Sequence, residues 1–297
     1  MKAATAKAAV GFRNILYATD FSIAAANAIP YVKRITKHYE AHLVALHVHP
    51  PVVNPMTPPE TWVADVEAQE ARDQWSREDL ARTFAGIPLE VQIEEGGIQE
   101  NLRAAIEKHQ TDLVVLGTRG RTRLGKLVLG SVAEEIFRAA TCPVLTVGPH
   151  VDSSRGADGQ IRAILYATDL TSESQVAAEY AVSLAQEFQA RLVLLHVVPE
   201  QTPNDLVMGS DVVQSTKKML QKLVPDEAKT WSKTEYYVER GNPAEKILEL
   251  AQLRESDIIV LGVKPEHGIP GAATHLPITT VHKVVSRATC PVLTVRS

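Results

Sequence analysis

The chain has 297 residues, of which 31 are Lys or Arg and 35 are Asp or Glu, so its formal net charge is −4. This acidic balance argues against the basic surface of a nucleic-acid-binding protein, and no apolar run approaches the ~20 residues that a membrane span needs. The first ten residues lack the apolar core of an export signal, so we expect a frayed tail and a cytoplasmic protein.

The first half of the chain alternates short apolar runs with runs of helical period. The run that begins at Asp112 is continuously apolar after its first residue, which is typical of a strand buried on both faces. Strands are predicted near 13–18, 42–49, 89–93, 112–117 and 143–147, and helices near 22–39, 61–84, 98–109 and 131–140. Strands and helices in strict alternation predict an α/β fold with a doubly wound parallel sheet.

The second half of the chain repeats the first. The segment ILYATD at 15–20 recurs unchanged at 164–169, and TCPVLTV at 141–147 recurs at 289–295. Strands are accordingly predicted near 162–167, 191–198, 233–238, 257–262 and 291–295. Ordered matches of this kind indicate a duplicated domain. We therefore expect two tandem five-stranded domains, 1–150 and 160–297, with the join in the polar stretch near 152–159.

A loop rich in glycine and cations joins the fourth predicted strand to the helix that follows it. Its glycines, cations and helix-capping hydroxyl are Gly117, Arg119, Gly120, Arg121, Arg123, Lys126, Gly130 and Ser131. A strand end followed by a helix start is where open parallel sheets bind ligands, because the free N–H groups of the helix attract an anion. The loop predicts a phosphate site, with a solvated surface loop as the alternative.

Two other nucleotide motifs do not fit this loop. Residues 120–126 match the start of a P-loop, but Leu127 stands where that motif needs Ser or Thr to ligate magnesium. The G-x-G-x-x-G fingerprint is also missing from the sequence, so a dinucleotide-binding Rossmann site has no support.

The repeats and the loop together resemble the universal stress protein family, whose domains carry a G-x2-G-x9-G-[S/T] loop. The resemblance covers roughly 13–147 and 162–296, and it implies an adenine nucleotide alpha hydrolase-like fold in each half. It also implies that the first half holds ATP, with or without Mg²⁺. The residues so implied are Ala18, Asp20 and Val48 beside the adenosine, with Gly117, Thr118, Arg119, Gly120, Arg121, Gly130, Ser131 and Val132 around the ribose and phosphates.

The second half keeps the adenosine side of this site and loses the phosphate side. Ala167, Asp169 and Val197 are retained, whereas Pro265, Ile278 and Thr279 stand in place of Gly120, Gly130 and Ser131. A β-branched Ile disfavours the positive φ that glycine permits, and its side chain blocks close approach of the backbone. We expect one nucleotide per chain, in the first half.

The resemblance implies an ATP-binding protein with a regulatory role in stress. Slow ATP hydrolysis is one alternative, although the sequence offers neither paired carboxylates nor a nucleophile with a base at usable spacing. A nucleotide-free interaction module is the other. The resemblance also implies that such domains pair through their last strands, so we expect an intramolecular pseudo-dimer of the two halves, and a homodimer is also open.

Several single residues invite chemistry of other kinds. Cys142 and Cys290 occupy equivalent places, and we interpret them as buried, reduced and structural. His47 and His49 share one face of a strand and make a metal site conceivable, but the repeat has Val198 in place of His49, which favours core or pocket-rim histidines. Asp20 persists as Asp169 beside the altered loop, which favours a structural part for it. Ser22 and Ser172 are expected to cap helices.

Overall fold

The computed structural model describes residues 10–50, 59–118, 133, 136, 140–151, 160–199, 210–228, 233–263 and 280–296, with backbone alone for 59–64 and 172–174. The chain divides into two compact units. One unit is formed by residues 12–153, and the other by residues 154–297 together with the segment that ends at Gly11.

The first unit is a parallel sheet in the strand order β3-β2-β1-β4-β5. Its described elements are β1 (Asn14–Ala18), α1 (Ile23–Ala26), α2 (Ile29–Tyr39), β2 (His42–His49), α3 (Pro59–Thr83), β3 (Leu89–Glu95), α4 (Ile98–Lys108), β4 (Leu113–Gly117) and β5 (Val144–Val147). Ala133 and Ile136, between β4 and β5, are helical. The central strands are buried on both faces, which explains their continuous apolar sequence.

The second unit repeats this arrangement as β8-β7-β6-β9-β10, again with parallel neighbours. Its described elements are β6 (Ala163–Thr168), α5 (Ser172–Glu187), β7 (Arg191–Val198), α6 (Ser210–Lys222), β8 (Thr234–Arg240), α7 (Pro243–Leu253), β9 (Ile258–Val263), α8 (Thr280–Arg287) and β10 (Val292–Arg296). The doubly wound parallel fold predicted from the sequence is confirmed, and each strand lies within two residues of its predicted bounds.

The helix predicted over 22–39 is interrupted. It consists of α1 and a separate α2, and Pro30 is the second residue of α2. Proline lacks the N–H that a continuous helix would bond to the preceding turn, and its ring clashes with the carbonyl group there. Pro30 therefore starts a new helix instead of continuing the first.

In each unit, a half-buried aspartate links two neighbouring strands at their amino ends by accepting hydrogen bonds from the backbone. In the first unit Asp112 Oδ2 accepts from the backbone N–H of Arg13 at 2.7 Å and of Asn14 at 3.3 Å. In the second unit Asp257 Oδ2 accepts from Arg162 N at 2.7 Å and from Ala163 N at 3.0 Å. Each aspartate thus satisfies donors at the start of the neighbouring strand, β1 or β6, that the ladder leaves open.

The start of the described chain belongs to the second unit. The N–H of Val10 donates to Ser183 Oγ at 2.8 Å, and that hydroxyl donates to the Val10 carbonyl oxygen at 3.1 Å. Ser183 lies on α5, so this reciprocal pair fastens the N-terminal segment to a helix far along the sequence. The first unit begins only at Phe12.

We expect Asp112→Ala to destabilise the start of β1, because the backbone N–H groups of Arg13 and Asn14 lose their acceptor. The cost should be about 1–3 kcal/mol of unfolding free energy. Amide hydrogen exchange read by mass spectrometry should speed up in peptides that cover β1 and stay unchanged in peptides that cover β6. Asp257→Ala is the matched control and should give the reverse pattern. Equal acceleration of both strands by either variant contradicts a local role for these carboxylates.

Candidate functional site

A cavity of about 190 Å³ opens at the carboxyl ends of the central strands of the first unit. The ends of β1, β2 and β4, the loop after β1, the start of α4 and the helix before β5 form its wall. The lining residues are Ala18, Thr19, Asp20, Ser22, Ala25, Leu46, Val48, Ile98, Leu102, Leu116, Gly117, Thr118, Ala133 and Ile136. A cavity of about 150 Å³ holds benzene, so this one is on the scale of a heteroaromatic base. Its position is the one where open parallel sheets bind ligands.

The loop after β1 carries the carboxylate at the cavity. Phe21 has a left-handed backbone, with φ of 56°, and its N–H donates to Thr19 Oγ1 at 3.1 Å. Asp20 Oδ1 accepts from the N–H of Ser22 at 2.9 Å. Ser22 Oγ in turn accepts from Ala25 N at 3.2 Å and caps α1, as predicted. These bonds hold the Asp20 side chain at the mouth of the cavity.

The second unit builds the same loop. Leu170 has φ of 63° and its N–H donates to Thr168 Oγ1 at 2.9 Å, while Asp169 Oδ1 accepts from Thr171 N at 3.1 Å. A bulky residue in the left-handed region is unfavourable on its own, so the side-chain bonds to Thr168 and Asp169 compensate it. The structural part expected for the aspartate is therefore present in both copies.

The prediction that Ser172 caps a helix is wrong. Thr171 occupies the cap position of α5, and Ser172 is the first helical residue. The Thr171 hydroxyl donates to Asp169 Oδ1 at 2.7 Å and makes no capping bond to the helix. A capping bond would use the hydroxyl oxygen as an acceptor from a helix N–H, whereas here the hydroxyl is placed to donate a charge-assisted bond to the Asp169 carboxylate.

A histidine of the second strand supports this loop in each copy. Nδ1 of His47 lies 2.9 Å from the Thr19 carbonyl oxygen, and Nδ1 of His196 lies 2.9 Å from that of Thr168. A carbonyl accepts only, so the ring carries its proton on Nδ1 in this bond. In the part of the chain that the structure describes, no group of three His, Cys, Asp or Glu side chains could hold a metal ion. Both histidines anchor the turn that presents the aspartate.

The residue at position 117 must be glycine because a helix backbone packs against it, and the sequence alone did not reveal this contact. A Cβ atom placed on it would lie 1.9 Å from the Ala24 carbonyl oxygen and 2.6 Å from Ala25 N. The backbone of α1 therefore packs directly on the end of β4, and only glycine permits that approach. Gly117 also lines the cavity, so it serves the position of the helix as well as the shape of the site.

Five residues predicted to hold a nucleotide line the cavity together, which are Ala18, Asp20, Val48, Gly117 and Thr118. Arg119, Gly120, Arg121, Gly130, Ser131 and Val132 lie outside the described residues. Sequence reasoning missed Ile98 and Leu102, which bring α4 to the apolar wall. Their spacing of four residues at the start of a predicted helix was the available signal.

The two cysteines are free thiols, as expected. Cys290 is buried as predicted, but the prediction of burial is wrong for Cys142, which is half-buried. Burial, with a smaller effect of the Asp112 charge, raises the pKa of the Cys142 thiol to about 12. Because the thiolate is the reactive form, Cys142 is a poor nucleophile at neutral pH.

Across the described ranges, no helix combines the length and the hydropathy that crossing a bilayer requires.

The chain is similar to known proteins in sequence and in fold. A universal stress protein of Mycolicibacterium smegmatis is 26% identical over 295 residues, which cover 95% of this chain and 96% of that protein. A universal stress protein from Archaeoglobus fulgidus has a crystal structure that matches with a TM-score of 0.70 at 17% identity, covering 95% of this chain and 98% of that one. This match shows a shared fold.

One further universal stress protein was solved in complex with cAMP; it is 22% identical, covers 46% of this chain and 98% of its own, and has a TM-score of 0.35. The model of the universal stress protein family matches this chain twice, over residues 11–148 and 160–296. Two matches of nearly the length of each unit account for the duplicated fold. The chain therefore belongs to the universal stress protein family and carries the family domain twice in tandem.

Proposed function

We propose that the first unit binds ATP and that the protein acts as an ATP-responsive regulator in the response to stress. The observation that carries this proposal is the cavity at the strand ends, which joins an apolar slot to a carboxylate held in a hydrogen-bonded turn. Ligand pockets typically combine mostly apolar walls with a few placed polar groups. The remaining support is the glycine loop, which begins at the edge of this cavity.

The chemistry of the cavity wall suits a nucleoside. Leu46, Val48, Ile98 and Leu102 give the β2 and α4 side a wholly apolar surface, on which a planar base can be buried. Asp20 and Thr118 make the β1 and β4 side polar, which suits the hydroxyl groups of a sugar. An adenosine therefore fits with its base toward β2 and its ribose toward the glycine loop.

The phosphates would continue from the ribose into the glycine loop. The cations and glycines of that loop, Arg119 to Ser131, follow directly after the cavity-lining Gly117 and Thr118. Backbone N–H groups and arginine side chains there would hold the phosphate oxygens, and Mg²⁺ when bound would neutralise their charge. The altered loop of the second unit supports a single nucleotide per chain. Pairing of the two halves, a homodimer and a cytoplasmic location stay predictions.

Calorimetric titration with ATP should give one site per chain, and Val48→Trp should abolish it or weaken it more than tenfold. Val48 lies in the apolar wall, and the indole would fill the slot while suiting a strand. Val197→Trp is the matched control, because Val197 is the next-to-last residue of β7 as Val48 is of β2. It should leave the ATP affinity within about threefold. Loss of binding in Val197→Trp with binding kept in Val48→Trp would move the site to the second unit.

Turnover of ATP should be slow, because a fast enzyme needs a placed base or water-orienting group, and Asp20 is the one carboxylate among the described residues that line the cavity. That carboxylate already accepts the Ser22 N–H, an arrangement which Asp169 copies. We expect Asp20→Asn to weaken ATP binding by about tenfold or more. The rate of phosphate release from bound ATP should stay the same as in the wild type.

The amide oxygen of Asn can accept the same Ser22 N–H, so Asp20→Asn removes the charge and leaves the turn. Asp169→Asn is its control in the second unit and should change neither quantity. Phosphate release at several per second, lost in Asp20→Asn with the ATP affinity unchanged, would instead make the protein an ATPase.

A further inference from the structure

One buried hydroxyl in the cavity wall has no hydrogen-bond partner. Thr118 is 2% exposed, and Oγ1 of Thr118 makes no hydrogen bond in the described structure. The same holds for several other buried side-chain atoms of the described residues, but Thr118 alone among them lines the cavity. An unpaired buried hydroxyl is costly and calls for a partner.

The Thr118 side chain lies on the cavity side of the sheet. A Cβ on Gly117 would meet α1, so the residue before it and the residue after it point to the opposite face. Leu116 pairs with Ala18 and Ala18 pairs with Leu46, so Leu116 and Thr118 lie on the face of the sheet that carries the cavity-lining Leu46 and Val48. The Thr118 N–H is already used, because it donates to the Val147 carbonyl oxygen at 2.9 Å. The hydroxyl remains as the group with free bonding capacity.

The second copy has an isosteric apolar residue at this position. Gly262 closes β9 as Gly117 closes β4, and Val263 therefore stands in the place of Thr118. The other polar groups of the cavity wall, Thr19, Asp20 and Ser22, stay polar in the second copy as Thr168, Asp169 and Thr171. Those three make the loop bonds that both copies share. The Thr118 hydroxyl is thus the polar group of the wall that the second copy lacks and that the fold does not use.

We infer that the Thr118 hydroxyl is a specificity-determining group that hydrogen-bonds a ribose hydroxyl of the bound nucleotide. This inference rests on the proposed function. Thr118 directly follows β4, the strand that pairs with β1, and Asp20 lies in the loop that follows β1; both are away from the apolar wall of β2 and α4. A ligand whose base fills the apolar wall brings its sugar to this polar side. The hydroxyl pairs with the sugar and so selects ribonucleotides over deoxyribonucleotides.

Thr118→Val tests the inference, because it copies the second unit and keeps the shape of the side chain. ATP, 2′-deoxy-ATP and 3′-deoxy-ATP are titrated calorimetrically into the wild-type protein and the variant. We expect the variant to bind ATP about tenfold more weakly than the wild type, which corresponds to 1.4 kcal/mol. For the deoxynucleotide that lacks the paired hydroxyl, both proteins should bind equally. Removing the ligand hydroxyl and the Thr118 hydroxyl, separately and together, forms a double-mutant cycle that isolates the free energy of this one hydrogen bond.

Two control variants separate the hydroxyl from the packing. Thr118→Ser keeps the hydroxyl and should bind ATP within about threefold of the wild type. Thr146→Val removes another buried hydroxyl without a partner in the described structure, on the neighbouring β5 and outside the cavity wall, and should leave ATP binding unchanged. The urea midpoint of Thr118→Val should not fall below that of the wild type, since no protein hydrogen bond is lost.

Each outcome decides the matter. Equal ATP affinity in the wild type and Thr118→Val overturns the inference and leaves the proposed function standing. A loss in Thr118→Val that is the same for ATP and for both deoxynucleotides also overturns it, because the hydroxyl would then contact the base or a phosphate. A wild-type protein that binds none of the three nucleotides overturns the proposed function, and the inference with it.

Discussion

The contact between the backbone of α1 and Gly117 determines the geometry of the cavity. Because the Ala24 carbonyl oxygen occupies the space of a side chain at Gly117, the first turn of α1 lies against the end of β4. The buried Tyr17 hydroxyl donates to the Ala25 carbonyl oxygen at 2.8 Å and holds the same turn from β1. Burial raises the pKa of Tyr17 to about 12, so this donor keeps its proton at physiological pH. The Ser22 cap, the Asp20 turn and the mouth of the cavity all follow from where α1 begins.

The two copies separate what the fold requires from what a ligand would require. Both keep the edge carboxylates Asp112 and Asp257, and both keep a histidine bonded to the turn that carries an aspartate. They differ at Thr118 and Val263, where the backbone needs neither residue in particular. A duplicated domain thus provides an internal control. Side-chain hydrogen bonds that both copies share are explained by the stability of the fold, whereas a polar side chain present in one copy only is a candidate for ligand binding.

The central strands were predictable because burial on both faces leaves a continuous apolar signature, and this signature does not depend on distant contacts. The meeting of Asp20 and Val48 in one cavity was predictable as well, since parallel strands bring their carboxyl ends to one edge. The Thr171 cap and the close approach at Gly117 were not, because each depends on atoms that come near only after folding. The spacing of Ile98 and Leu102 indicates only that they share one face of a helix, and it does not tell whether that face lines a cavity or packs in the core.

The hydrogen bonds between Val10 and Ser183 can form only after the whole of the first unit has been synthesised. The two residues are 173 positions apart, and both belong to the second unit. At about 5–20 residues per second on the ribosome, Val10 waits roughly 10–35 s for its partner to be made. By then all of residues 12–153 has been synthesised and the first unit can already be folded. The segment at Val10 is thus synthesised before the first unit but reaches its native place only after that unit can have folded, and nascent chains should pass through a stage in which the first unit is folded and Val10 is not yet bonded to Ser183.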